Sequence, residues 1–494
     1  MNLRVRLAVM AALVLPMGAA LAQTAPAPDV TELLKRLDEQ DKRIKSLEHK
    51  LEEQQQGGGQ SDKSSGEAAV TTPNVSPQGP LTSNSATPAT AVRPAGRQFA
   101  ISSADGANVI RFRGNLQVDG RWYSDKITPE TADTFLFRKV RPYIEGTFDN
   151  IYDFRLMPDF GGGKAIIVDA FVAGRFQSWL TVQAGKFKGP VGLERLQPDQ
   201  FNRFMELGLP SDLVPNRDLG VQVGGDFLGG TVSYAVGLFD GVSDGTSTDA
   251  NASPDQDNDG KKDIEARLFS QPFIRSDNPY LRGFGFGVGG TYVNSTGSAT
   301  NTLLPTYKTS SQQNFFTYRT GATATYADGR RERLSPQLFY YGGSLGVLAE
   351  YVKVDQDVSR QVTAAERRSA ELNNSAWQFM VSYFLTGEQA SYNNFVAKST
   401  FEPGRQGWGA WEIAARFEEL RIDNAAFLGG AASFADPAAS PRAAIAYGIG
   451  LNWYLTQYVK LMLNYERTRF DGGAALGADR PDENALMLRF MLAF

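Results

Sequence analysis

The chain has 494 residues, 42% apolar and 21% charged, with no cysteine, one histidine and a formal net charge of -4 at pH 7. Its mean hydropathy of -0.30 excludes a bundle of membrane helices, and the lack of cysteine excludes disulfides, thiolate metal sites and cysteine nucleophiles. His49 lies in a charged helical segment, so residues 57–494 hold no histidine for hydrolase chemistry or metal ligation, and the acidic balance offers no general attraction to nucleic acid; neither enzyme activity, cofactor nor nucleic-acid partner is expected.

Residues 1–22 read as a cleaved secretory signal. Arg4 and Arg6 precede the apolar run Leu7 to Met17, too short to span a membrane, which leads to Ala20-Leu21-Ala22 before Gln23. Residues 23–56 carry a heptad: Val30, Leu37, Ile44 and Leu51 take the a positions, and Leu33, Gln40, Leu47 and Gln54 take d. Arg36 and Arg43 at g then oppose Asp41 and Glu48 at e, which favours a parallel coiled coil over a single amphipathic helix on the protein's own surface. Residues 57–106 form a flexible linker, since Gly57 to Gln98 is rich in Gly, Ser, Thr and Pro with almost no aromatic residue.

Residues 107–494 change character. Ile110, Phe112, Gly114, Leu116, Val118, Gly120 and Trp122 alternate with Arg111, Arg113, Asn115, Gln117, Asp119 and Arg121, which needs an apolar medium on one side of a strand and water on the other. Such a run is long enough to cross a bilayer as a tilted strand. Similar segments follow at Phe135 to Phe148, from Ile151, at Ala165 to Gly174, Trp179 to Phe187, Leu219 to Phe227, Thr231 to Phe239, Gly283 to Val293, Leu334 to Tyr341, Ser344 to Val354, Ser375 to Leu385, Gly409 to Leu420, Ile445 to Tyr454 and Val459 to Phe470. Leu486, Leu488, Phe490, Leu492 and Phe494 alternate to the last residue. Short turns such as Asp149-Asn150 and Leu228-Gly229-Gly230 contrast with long connections at Lys188 to Asp218, Asp240 to Lys262 and Asn294 to Gln313, the asymmetry of an outer-membrane barrel with its long loops outside the cell. The pairs Tyr340-Tyr341 and Trp453-Tyr454 suit a membrane interface. Phe315 to Tyr326 is the weakest candidate strand, so it is read as loop. The expected fold is an all-β, transmembrane antiparallel barrel of about 16 strands around an aqueous channel.

Three stretches then stand out: Phe137-Arg138-Lys139-Val140-Arg141-Pro142-Tyr143-Ile144-Glu145-Gly146, Gln183-Ala184-Gly185-Lys186-Phe187-Lys188-Gly189-Pro190-Val191-Gly192-Leu193-Glu194, and Gly407-Trp408-Gly409-Ala410-Trp411-Glu412-Ile413-Ala414-Ala415-Arg416-Phe417. With Leu385-Thr386-Gly387-Glu388 and Asn452-Trp453-Tyr454-Leu455, they resemble the phosphate-selective porin O and P family over about Val109 to Phe494. The resemblance implies a homotrimer, a third loop folded into the lumen and basic residues guiding phosphate through a narrow eyelet. It assigns Arg138, Lys139 and Arg141 to the basic cluster of the second strand, and Lys186 and Lys188 to the entrance of the constriction loop. That loop, Lys188 to Asp218, also carries Arg195, Arg203 and Arg217 with Glu194, Asp199, Glu206 and Asp212 among them. Phosphate-selective members carry a ladder of arginines; this chain offers only Arg111-x-Arg113 and Arg331-x-Arg333, which leaves the preferred anion open.

A phosphate filter needs several cationic donors, preferably guanidinium forks, spread along the pore so that the ion can also leave. Each basic residue has an alternative role as the partner of a nearby acid, above all Arg195, Arg203 and Arg217. Asp169 is expected to face inward, loosening anion binding or pairing with Arg138 or Arg141. Asp255, Asp257, Asp259 and Asp263 have the spacing of a calcium loop, but Ala266 stands at its twelfth position, and a solvated acidic loop is the competing reading. Three functions follow in order: an outer-membrane channel for phosphate or similar small anions, a general porin with neutralised cations, and a structural protein joining outer-membrane lipid to peptidoglycan through the coiled coil.

Overall fold

A computed structural model describes Lys42 and residues 99–124, 132–248, 255–257 and 259–494. The predicted signal peptide lies outside these residues, as does the coiled coil apart from Lys42, which is helical. Sixteen strands form a closed antiparallel sheet. They are β1 (Val109–Tyr123), β2 (Thr134–Phe148), β3 (Tyr152–Asp159), β4 (Ile166–Gln177), β5 (Leu180–Lys188), β6 (Arg217–Phe227), β7 (Val232–Phe239), β8 (Asp263–Ser270), β9 (Phe284–Thr296), β10 (Thr325–Gly342), β11 (Leu345–Gln361), β12 (Arg367–Phe384), β13 (Ala410–Arg421), β14 (Pro441–Tyr454), β15 (Val459–Gly472) and β16 (Glu483–Ala493). Closure pairs β16 with β1, so that Leu488 faces Gly120 and Leu492 faces Leu116 across the seam. A closed sheet leaves no strand edge unpaired, the condition for spanning lipid with strands.

Alternation decides which way each side chain points. Leu486, Leu488 and Phe490 of β16 are exposed on the outside, whereas Met487, Arg489 and Met491 are buried inside. The same rule splits the expected interfacial aromatic pairs. Tyr340 and Trp453 keep to the outer surface, where Trp453 stacks on Trp411 at 5.0 Å, but Tyr341 and Tyr454 turn into the lumen. The Asp149-Asn150 turn is tight, with φ of 49° and 60° and Ile151 N–H donating to the Phe148 carbonyl at 3.1 Å, the mirror-image turn that matches strand twist.

Three details depart from the sequence reading and a fourth agrees with it. Strand β8 fills the stretch between Lys262 and Gly283, where no strand was expected although Ile264 and Leu268 face outward and Glu265 and Arg267 inward. Strand β10 begins at Thr325, well before Leu334, because its upper part carries charge on both faces (Arg330 and Glu332 half-buried, Arg331 and Arg333 buried) and extends beyond an apolar medium. Most of Phe315 to Tyr326 is indeed outside the barrel wall: Asn314–Thr317 pairs with Thr306–Lys308 in a separate ribbon. The end of the expected linker, Ala100–Ser102, is a short strand paired with β1.

Three long connections enter the barrel. Those spanning 189–216 and 297–324 come from the long-loop rim, the second burying Tyr307, Phe315 and Phe316 against Val352, Leu372 and Phe470. The connection 385–409 comes from the opposite rim, against the expectation of short turns there, and stacks Tyr392 on Phe339 at 5.3 Å and Phe395 on Tyr454 at 4.2 Å.

Candidate anion passage

The loop 189–216 is fastened to the wall formed by β11 to β16. Its backbone N–H groups donate to carboxylates and an amide of that wall: Leu193 to Glu350 at 2.5 Å, Leu209 to Glu418 at 2.8 Å and Met205 to Asn464 at 2.7 Å. Gly208 donates to Glu194 of the loop itself at 2.8 Å. In return the carbonyls of Asn202, Arg203 and Glu206 accept from Lys460, Asn452 and Arg416. Glycine permits this approach at Gly208, where a Cβ would lie 2.3 Å from a Glu418 oxygen and 2.4 Å from the Gln378 amide oxygen. From the other rim Tyr392 Oη donates to the Leu193 carbonyl at 2.5 Å, while Gln197 Nε2 and Arg203 Nη2 donate to the Tyr392 and Ser391 carbonyls at 2.6 and 2.5 Å. The constriction loop is thus held from above and below.

The facing wall, β1 to β6, is basic. A bulge in β2 produces its centre: Lys139 pairs with Gln117 and Phe137 with Val118, leaving Arg138 as the extra residue. The bulge breaks the two-residue period, so Arg138 and Lys139, adjacent in sequence, both turn toward the loop. Arg138 grips Glu206 with Nε at 2.6 Å and Nη2 at 2.8 Å. Lys139 and Arg141 share Asp199 at 2.7 and 2.6 Å, and Arg141 also bonds Asp159 at 2.6 Å. Lys188 donates to the Gln197 carbonyl at 3.1 Å. Arg217 and Arg155 flank Asp169 at 2.7 and 3.6 Å, and Arg155 and Arg113 flank Glu145 at 2.6 and 3.1 Å. Burial alone would raise the Asp199 carboxyl, but Lys139, Arg141 and Lys188 outweigh it and hold it well below the usual carboxylate range.

Charge is therefore divided across the lumen. On one side Arg113, Arg121, Arg138, Lys139, Arg141, Arg155, Lys188 and Arg217, with Arg489 reaching across the seam from β16 to Asp119, outnumber Asp119, Glu145, Asp159, Asp169, Asp199 and Glu206. On the other, Glu194, Glu350, Glu412, Glu418 and Glu466 surround Arg203, Arg416 and Lys460. The acidic group lies behind the loop and is buried, and the basic group is partly open, with Arg138 30% and Arg155 21% exposed.

The expected site residues divide accordingly. Arg113, Arg138, Lys139, Arg141, Lys188, Arg217 and Asp169 meet on one wall. Arg111 stands near it with no ion pair among the described residues. Asp169 pairs with Arg217 and Arg155, not with Arg138 or Arg141. Lys186 lies elsewhere, 2.7 Å from Asp255 of the long-loop rim. Arg195 braces its own loop through the Ser211 carbonyl at 2.6 Å, and Arg203 bonds Glu412 on the acidic wall at 3.1 Å. The acidic run does not converge on a common point. Asp255 bonds Lys186, Asp257 bonds Lys262, Asp259 accepts from the Thr296 N–H, and Asp263 is clamped by Arg331 and Arg333. Among the described residues no group of three such side chains could hold a metal.

Sequence reasoning put Arg121 on the water-facing side without assigning it to the site, and passed over Arg155 and Arg489. All three were accessible by parity, since Arg121 alternates with Gly120 and Trp122 and Arg489 with Leu488 and Phe490.

The profile of the family described as "Phosphate-selective porin O and P" matches residues 110–494, the whole barrel. The chain belongs to that family. A protein of this family with a closed barrel sits in the outer membrane. Porin O of Pseudomonas aeruginosa is 25% identical over 130 residues, a stretch that covers 26% of this chain and 28% of that protein. Among solved structures the barrel is similar to the outer membrane channel DcaP of Acinetobacter baumannii, at 10% identity, a TM-score of 0.47 and coverage of 80% of this chain and 99% of that one. It is also similar to the anion-selective porin from Comamonas acidovorans, at 9% identity, a TM-score of 0.45 and coverage of 78% and 100%.

Proposed function

We propose that this porin is a passive, anion-preferring diffusion channel for phosphate and similar small anions. The observation that carries the reading is the surplus of basic groups on the β1 to β6 wall, where Arg138, Lys139, Arg141 and Lys188 meet the constriction loop and share Asp199 and Glu206. Low-dielectric walls focus the field of such a surplus into the passage even though the whole chain is acidic. Guanidinium forks replace part of a phosphate hydration shell, and the carboxylates beside them compete with the ion, so it exchanges from cation to cation and is released. Asp169 and Asp199 supply that competition. Three copies form the working assembly, and residues 23–56 join them in the periplasm and reach toward peptidoglycan.

Replacing Lys139 and Lys188 together by Gln removes two charges from the basic wall. In a planar bilayer with a salt gradient, the reversal potential then moves toward zero relative to the unaltered channel. Lys186→Gln, whose charge is bound to Asp255 at the rim, leaves the potential closer to its original value. Equal effects of the two changes would remove the constriction from the account of selectivity.

A further inference from the structure

Above the constriction, on the long-loop rim, lies a cavity of about 460 Å³ between the ribbon loop, the upper end of β11 and the connection 422–440. Its walls carry Arg319, Arg360 and one carboxylate, Asp436, together with Thr317, Thr320, Thr323 and Ser440. Arg360 is buried and held entirely by neutral oxygens: Nε donates to the Thr323 carbonyl at 2.8 Å, Nη1 to the Ala431 and Ser433 carbonyls at 2.8 and 2.6 Å, and Nη2 to Thr323 Oγ1 at 3.2 Å. Arg319 is fixed by Ser433 and the Gly430 carbonyl, with Asp436 3.3 Å from Nη1. Arg368 also donates to carbonyls of the same connection, those of Leu428 and Ala432, both at 2.9 Å. Three guanidinium groups are thus organised around residues 428–433, and among the described residues only Asp436 pairs with any of them.

Carbonyl dipoles fix a guanidinium in place but leave its net charge intact, so Arg319 and Arg360 against the single carboxylate of Asp436 leave this pocket electropositive. Arg360 Nη2 has one donor with no partner among the described residues, as has Arg319 Nη1. The volume exceeds what an inorganic oxyanion needs and lies within the range of sites for small organic ligands. Four threonine and serine residues line part of the remainder, beside Asn314 and the ring residues Phe315 and Tyr318, a mixed polar surface that suits a solute rich in hydroxyls.

We propose that this cavity is a capture site for a polyhydroxylated organic anion of sugar-acid size, its carboxylate or phosphate meeting Arg319 and Arg360 and its hydroxyls meeting Thr317, Thr320 and Ser440. Captured solute is thereby concentrated at the mouth before it reaches the basic wall. The site rests on the channel reading for its delivery route, not for its own chemistry.

The test uses gluconate as probe in single-channel recordings of the full-length protein at fixed KCl, with glucose and inorganic phosphate as comparators. Gluconate added on the long-loop side interrupts the current in a saturable way, glucose does not, and phosphate needs a higher concentration for the same effect. Arg319→Gln raises the half-saturating gluconate concentration about tenfold, the weight of one charge-assisted pair. Thr320→Trp fills the cavity while keeping every arginine bond, and raises it to a similar degree. An unchanged gluconate response in both variants overturns the site, as does an equal response to glucose. The reversal potential of the same channels in KCl alone reports on ion preference separately, so its sign can fail without touching the gluconate result, and the reverse.

Discussion

Glu206 shows how one side chain sets the charge of the passage. It accepts from Arg121 at 2.6 Å and Arg489 at 2.9 Å, both buried, and from both arms of the partly open Arg138. Glu206→Gln leaves three guanidinium groups with less compensation, so anion preference rises while the barrel weakens. Removing one partner from a buried charge cluster costs about 3–5 kcal/mol, which thermal unfolding in detergent would register as a lower midpoint than the unaltered protein. A second residue gives a pH dependence. Burial pushes the Asp212 carboxyl up to about 7, against the Lys308 N–H that donates to it at 2.8 Å and the nearby Arg195. A group that binds its proton more tightly folded than unfolded contributes stability below its unfolded pKa and loses it as pH rises through the folded value. Stability should therefore fall between about pH 4 and 7, where the unfolded carboxyl is ionised and the folded one still holds its proton, and level off above that, and the fall should shrink in Asp212→Asn. A midpoint flat across that window in the unaltered protein would contradict the assignment.

At the level of elements, walls were legible and fillings were not. Period-two alternation reports only which face of a strand meets lipid, so nearly every strand could be drawn from sequence, and β8 was missed although its alternation is present in Ile264, Ala266 and Leu268. The bulge at Arg138 hides itself, because an extra residue shifts the phase by one and resembles a lapse in the pattern. Loops that fold inward leave no periodic trace either. The entry of 385–409 from the short-turn rim depends on contacts with residues far away in the chain, such as Tyr392 with Leu193, which no local pattern announces. Pairing of Lys186 with Asp255 is equally remote. The seating of loop 189–216 can be tested through Gly208, where a side chain would collide with Glu418 and Gln378. Gly208→Val displaces the loop from the acidic wall, and single-channel conductance in KCl rises; a conductance at or below that of the unaltered channel would show that the loop does not set the bore.

On the scale of the whole molecule, the barrel sorts its side chains into three groups. Exposed Phe137, Val221, Leu268, Leu334, Ile449 and their neighbours form an apolar exterior, the acidic side chains are sealed behind the constriction loop, and the basic wall is left to meet solvent. A net charge of -4 conceals this division, since the sum over a chain says nothing about which side of a sheet a charge occupies. Family membership and the closed sheet were both within reach of the sequence, through motifs such as Phe137 to Gly146 and through strict alternation. The direction of the transverse field was not, because it depends on which acids the loop buries. That field is the centre of the account, and the reversal potential of the purified, reconstituted protein across a tenfold KCl gradient reads it most directly. The account predicts the sign of an anion-selective channel; a cation-selective sign would contradict it.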